Sequence, residues 1–86
     1  MYIHLGQETV VNQKDIIGIF DMDTSTGSKS TREYLRRAEQ EGDVVNITYE
    51  LPKSFIVCRD SRRKSGRVIY ISQISSQTLK GRANIF

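Results

Sequence analysis

The sequence predicts an α+β fold: a mostly antiparallel sheet with one main helix and a short C-terminal helix, assembling as an oligomer. Three observations carry this reading. Six short segments rich in Ile, Val, Tyr and Phe are separated by turn-forming Gly, Asn and Ser residues. Only the stretch after Ser30 has both a start and a stop signal for a long helix. Three of the strand segments are apolar on both faces, which is more apolar surface than one helix covers.

The elements follow in order. Tyr2-Ile3-His4-Leu5 reads as a strand ended by Gly6, and Thr9-Val10-Val11 as a second, broken by Asn12. Asp15–Asp21 is a third, with Gly18 marking a bulge or a close backbone approach. Asp23–Lys29 reads as a polar loop. Ser30 is the N-cap candidate of the long helix, with Glu33 completing a capping box and Gly42 placed to end it in the left-handed conformation. Its apolar stripe is narrow: Tyr34, Leu35 and Ala38. Val44–Thr48 is a fourth strand, and Pro52 suits a strand entry. Ser54–Arg59 and Arg67–Ser72 form a hairpin around the Asp60–Gly66 turn, and Ser76–Arg82 a short helix.

The expectation of an oligomer comes from the core arithmetic. Ile16–Phe20, Phe55–Cys58 and Val68–Ile71 place apolar side chains on both sheet faces. Burying one such side chain is worth about 1.5–3 kcal/mol, so several left bare are costly and prone to aggregate. Packing the second face on another copy resolves this; the plainer alternative folds the chain's own terminal segments over it.

At 86 residues the chain is one domain, 1–86, and hydrophobic and charged contents of 37% and 27% are those of a globular protein. No apolar run reaches the ~18 residues of a membrane span, and the first residues lack the charged and apolar regions of a signal peptide, so a cytoplasmic location is expected. One cysteine and one histidine leave no disulfide and no multi-ligand metal centre. No cofactor is expected, and with no Ser/His/Asp set and no Gly-rich phosphate loop, no enzyme. Cys58 in its apolar run reads as a small buried hydrophobe, His4 as a structural imidazole. Asp15, Asp21 and Asp23 lack the spacing of a calcium loop. Asn46-Ile47-Thr48 matches a glycosylation sequon that has no export signal beside it.

Charge is the remaining signal. The net +3 divides into −2 over residues 1–31, −2 over 32–50 and +7 over 51–86. A basic half points to an anionic partner such as DNA, and its densest part is Arg59-Asp60-Ser61-Arg62-Arg63-Lys64-Ser65-Gly66-Arg67, at the hairpin tip. A projecting basic ribbon there contacts phosphates; the plainer reading is a solvated tip. Arg32, Arg36 and Arg37 share the helix with Glu33, Glu39 and Glu41, and the Glu33–Arg37 spacing favours an internal pair over a nucleic-acid face.

Several phrases together resemble one small bacterial family: Met1–Gly6, Asp15–Asp21, Leu51–Val57, Tyr70-Ile71-Ser72 and Ile74–Lys80. They are similar to the RemB-like branch of the extracellular matrix regulatory (RemA/RemB) family, over nearly the whole chain. The resemblance implies a cytoplasmic DNA-binding regulator of biofilm-matrix genes. From the RemA branch it implies ring-shaped homo-oligomers that present basic residues repeatedly to DNA. That branch uses an adjacent arginine pair just after the position of Tyr49; here Glu50-Leu51-Pro52 stands there, with Lys53 the nearest cation. Another basic position of that branch falls on Lys14. The candidate DNA-binding residues are therefore Lys14, Lys53, Arg59, Arg62, Arg63, Lys64 and Arg67. The competing reading is an oligomeric protein-interaction scaffold without DNA binding, motivated by the missing pair and the acidic first half.

Overall fold

The structure is a computed structural model and describes residues 1–83. Its elements are β1 (Tyr2–Gly6), β2 (Thr9–Asn12), a 3-10 turn (Gln13–Asp15), β3 (Ile16–Asp21), α1 (Met22–Ser25), α2 (Lys29–Gln40), β4 (Val44–Asn46), β5 (Ser54–Arg59), β6 (Arg67–Ser72) and α3 (Ser76–Ala83). The α+β architecture of the sequence reading is therefore present. Four strands form one sheet in the order β3-β5-β6-β4, and β1 and β2 form a separate hairpin.

The β5–β6 hairpin is the centre of the sheet and falls at its expected limits, paired in register from Ser54–Ser72 to Arg59–Arg67. Strand β3 adds antiparallel to β5, and β4 adds parallel to β6. Strands β3 and β4 thus run the same way at opposite edges. Helix α2 carries the chain between them across one face, and the hairpin fills the gap. The β3–β5 register shifts between Ile16 and Gly18. A Cβ on Gly18 would stand 2.6 Å from the Phe20 ring. Glycine there lets Phe20 fold back and stack on Phe55, centroids 5.0 Å apart.

Four local expectations are corrected. Residues 23–29 are not all loop: α1 occupies Met22–Ser25, its N-terminus capped by Asp21, whose carboxylate accepts from Thr24 N at 3.0 Å. The N-cap of α2 is Ser28, not Ser30. Ser28 is the last extended residue, and its hydroxyl accepts from Thr31 N. With the helix starting two residues early, Glu33 is no longer at the capping-box position; it pairs with Arg36 at 2.8 Å instead of with Arg37. The fourth strand stops at Asn46, whose side chain turns back to accept from Thr48 N. The other end of α2 is as expected: Gly42 has φ +77°, Asp43 N donates to Ala38 O and Gly42 N to Glu39 O, a Schellman closure.

Both sheet faces are covered from within the chain, which overturns the apolar-excess argument for an oligomer. On one face Ala38 and Leu35 of α2 pack on Phe55, Val57 and Ile69. On the other, Ile3, Leu5 and Val11 of the β1–β2 hairpin and Leu79 and Ala83 of α3 pack on Ile19, Ile56, Cys58 and Val68. The terminal segments thus supply the second layer. They are tied down by Ser72, whose buried hydroxyl donates to Leu5 O at 2.6 Å, and by Ser54, which donates to Ile74 O at 2.7 Å.

Candidate nucleic-acid interface

The seven candidate cations do not form one patch. Lys53 is exposed immediately before β5, where its backbone is held by Met22 N and Ser72 O. The six residues of β5 put it roughly 20 Å from the hairpin tip. At the tip end, Lys14 and Arg59 come together: the Arg59 guanidinium donates to Lys14 O at 2.9 Å and lies 4.0 Å from Asp15. Both side chains are exposed.

The tip itself is closed rather than projecting, and the expectation of a free basic ribbon is corrected on that point. Asp60 N donates to Gly66 O, Arg63 N to Asp60 O and Gly66 N to Arg63 O, with Gly66 at φ +81°. Carboxylates neutralise most of the cations. Arg62 holds Asp60 through Nε at 3.1 Å and Nη2 at 3.3 Å while its side chain stays 86% exposed. That contact draws the Asp60 carboxyl below its ordinary range and raises the Arg62 guanidinium. Arg63 reaches back to the end of α2, donating to Gly42 O at 2.8 Å and to Asp43 Oδ1 at 3.5 Å. Arg67 lies against Glu41 at 3.3 Å and Asp43 at 4.0 Å, its guanidinium 5.0 Å from the Tyr34 ring centroid. Among the described residues of the tip, Lys64 alone is a cation with no carboxylate within ion-pair distance.

The outward-facing set is therefore Lys14, Arg59, Arg62 and Lys64 at one end and Lys53 at the other. Arg63 and Arg67 are turned inward. The sequence carried no signal for that division, because the partner, Asp43, is a single acid after a helix-ending glycine.

Two apolar features stand apart from the charged set, and of these only the surplus at Ile16–Phe20 was flagged by the sequence. The loop after β4 carries Tyr49 and Leu51, both almost fully exposed. A mostly apolar groove between β3 and the start of α2 is lined by Ile17, Phe20, Tyr34, Phe55 and Val57. Ile17 faces outward at the bulge of an edge strand, 66% exposed.

Cys58 is buried under the hairpin layer, and burial pushes its thiol up to about 12. His4 hydrogen-bonds through its ring to the Gln7 carbonyl in the β1–β2 turn. Among the described residues no group of three or more His, Cys, Asp or Glu side chains is placed to hold a metal ion, and no helix is long and apolar enough to cross a membrane.

Residues 2–83 match the RemA-like family, described as extracellular matrix regulatory protein A-like. The chain is 41% identical over 83 residues to extracellular matrix regulatory protein B of Bacillus subtilis (strain 168), covering 96% of this chain and 90% of that one. The match spans every element from β1 to α3, so the chain belongs to the RemA-like extracellular matrix regulatory family.

Proposed function

We propose that this protein is a cytoplasmic, non-enzymatic DNA-binding regulator of extracellular-matrix genes that acts as a homo-oligomer. The observation that carries the reading is the net +7 of residues 51–86 in a chain of a matrix-regulatory family. Lys14, Arg59, Arg62 and Lys64 supply outward-facing charge at one end of the sheet, and Lys53 at the other. These side chains suit phosphate contacts; among the described residues no helix presents Asn, Gln and Arg together for base reading. Self-association is supported by the apolar groove at Ile17, Phe20 and Tyr34 beside the free edge of β3. Repeating a weak phosphate site around an oligomer raises its effective affinity.

Fluorescence anisotropy of an about 30-base-pair labelled duplex at low and physiological salt tests this, each phosphate contact adding about 0.9 to the log–log salt slope. The combined Lys14→Ser, Arg59→Ser, Arg62→Ser and Lys64→Ser variant is expected to flatten that slope by up to about 3–4. It spares Arg63, whose contacts are internal. No binding by the wild type even at low salt sinks the reading. It favours instead a protein scaffold, which Glu50-Leu51-Pro52 in the exposed loop and the paired state of the tip arginines support. Recovery of a defined protein partner at DNA-stripping salt is the expected result of that second reading.

A further inference from the structure

The contact between the β5–β6 tip and the end of α2 is unusual in its chemistry. Asp43 is 5% exposed, yet among the described residues its Oδ2 accepts no hydrogen bond. Two arginines approach this carboxylate, Arg63 at 3.5 Å and Arg67 at 4.0 Å. Arg63 Nε and Arg67 Nε are also buried and unbonded; Arg63 Nε lies 3.4 Å from Asp60 Oδ2 without hydrogen-bond geometry. The remaining links are Arg63 to Gly42 O and Arg67 to Glu41, whose side chain is about half exposed. Three buried polar atoms of one network therefore lack partners. A partly satisfied buried network is weak for its number of charges, because each unbonded group keeps its desolvation cost. A phosphate oxygen offers each guanidinium the bidentate partner that Asp43 does not.

We propose that Asp43, assisted by Glu41, is an internal counter-ion that holds the hairpin tip shut on the end of α2 and withholds Arg63 and Arg67 from DNA phosphates. The contact is autoinhibitory: opening the tip exchanges a carboxylate for phosphate and adds two cations to the outward set. This inference rests on the DNA-binding reading, and its test separates the two.

The test uses the full chain carrying Asp43→Asn, with Glu39→Gln as the control for lost charge. Glu39 is an exposed acid on α2 whose side chain has no part in the network. Asp43→Asn is expected to bind the duplex roughly tenfold tighter than Glu39→Gln, with a salt slope steeper by up to about 1.8. Equal affinity and slope for the two variants would overturn the proposal. Hydrogen exchange of the Asp60, Arg63 and Gly66 amides, read without DNA, gives an independent measure. These amides are expected to exchange at least about tenfold faster in Asp43→Asn. If no form of the protein binds DNA, the function reading has failed, and unchanged exchange then removes the clamp as well. If Asp43→Asn does not fold, Glu41→Gln replaces it. That variant takes the Glu41 carboxylate from Arg67, leaving only its longer 4.0 Å approach to Asp43, and is expected to steepen the slope by up to about 0.9; no change in slope or exchange there counts against the proposal.

Discussion

Cys58 lies on β5 between the sheet and the β1–β2 layer, 2% exposed. Burial is the largest cause that lifts its thiol from an ordinary value of 9.0 to about 12, with Asp15 and Asp60 adding to it. Tyr70 is raised too, chiefly by burial. The folded chain therefore keeps protons that the unfolded chain releases. This part of the stability is complete below about pH 9 and is lost as pH rises from there toward 12. The urea midpoint is expected to fall steadily between pH 8.5 and 11, and less steeply in Cys58→Ala. A thiol reagent at pH 8 is expected to label Cys58 only in urea. An unchanged midpoint, or fast labelling of the folded protein, would contradict the buried-thiol account. This residue was legible in the sequence, as was Gly18, because an apolar run and an isolated glycine each have a local physical reason. Asp43 was not. Its role depends on two arginines at least 20 residues away in the chain, brought near only when the hairpin closes.

At the scale of elements, the start of α2 shows how two local signals compete. Ser28 and Ser30 are both competent N-caps, and only Ser30 has Glu three positions on. Ser28 wins because α1 and the Thr26-Gly27 turn deliver the chain to it in extended conformation. Arg32 then locks that turn by donating to Thr26 O at 2.8 Å and Gly27 O at 3.1 Å. Ser28→Ala is expected to cost about 0.5–1 kcal/mol, the low end of the cap range because its 3.5 Å bond to Thr31 N is long. Ser30→Ala is expected to stay within about 0.5 kcal/mol, as an exposed helix-interior change. Equilibrium urea melts of the two variants decide it, and the reverse order would restore Ser30 as the cap. The hairpin strands were placed correctly from sequence because dense β-branched runs and a Ser-Gly turn agree on their limits. The inward turn of Arg63 and Arg67 was not, because the carboxylates they face, Asp43 and Glu41, lie outside the hairpin.

For the whole molecule, the sequence pointed to an oligomer through a bare sheet face that turns out to be covered. The cover is the plainer alternative that the sequence also offered, and it ranked second because Ile3, Leu5, Val11, Leu79 and Ala83 belong to short terminal segments with few apolar residues to announce a layer. Once that face is closed, and apart from the exposed Tyr49 and Leu51 of the loop after β4, the groove at Ile17, Phe20 and Tyr34 is the apolar concavity that suits a second copy. Light scattering at micromolar concentration is expected to give a multiple of 9.9 kDa for the wild type. Ile17→Lys, at an outward-facing position, is expected to return the mass to 9.9 kDa without loss of folded signal. The same variant probes how assembly serves DNA binding. An added lysine by itself strengthens attraction to phosphate. If affinity comes from many weak sites acting together, losing the assembly lowers it by about 100-fold despite the extra charge. A 9.9 kDa variant that binds as tightly as the wild type would mean that one protomer carries the whole affinity, and that any assembly serves another purpose.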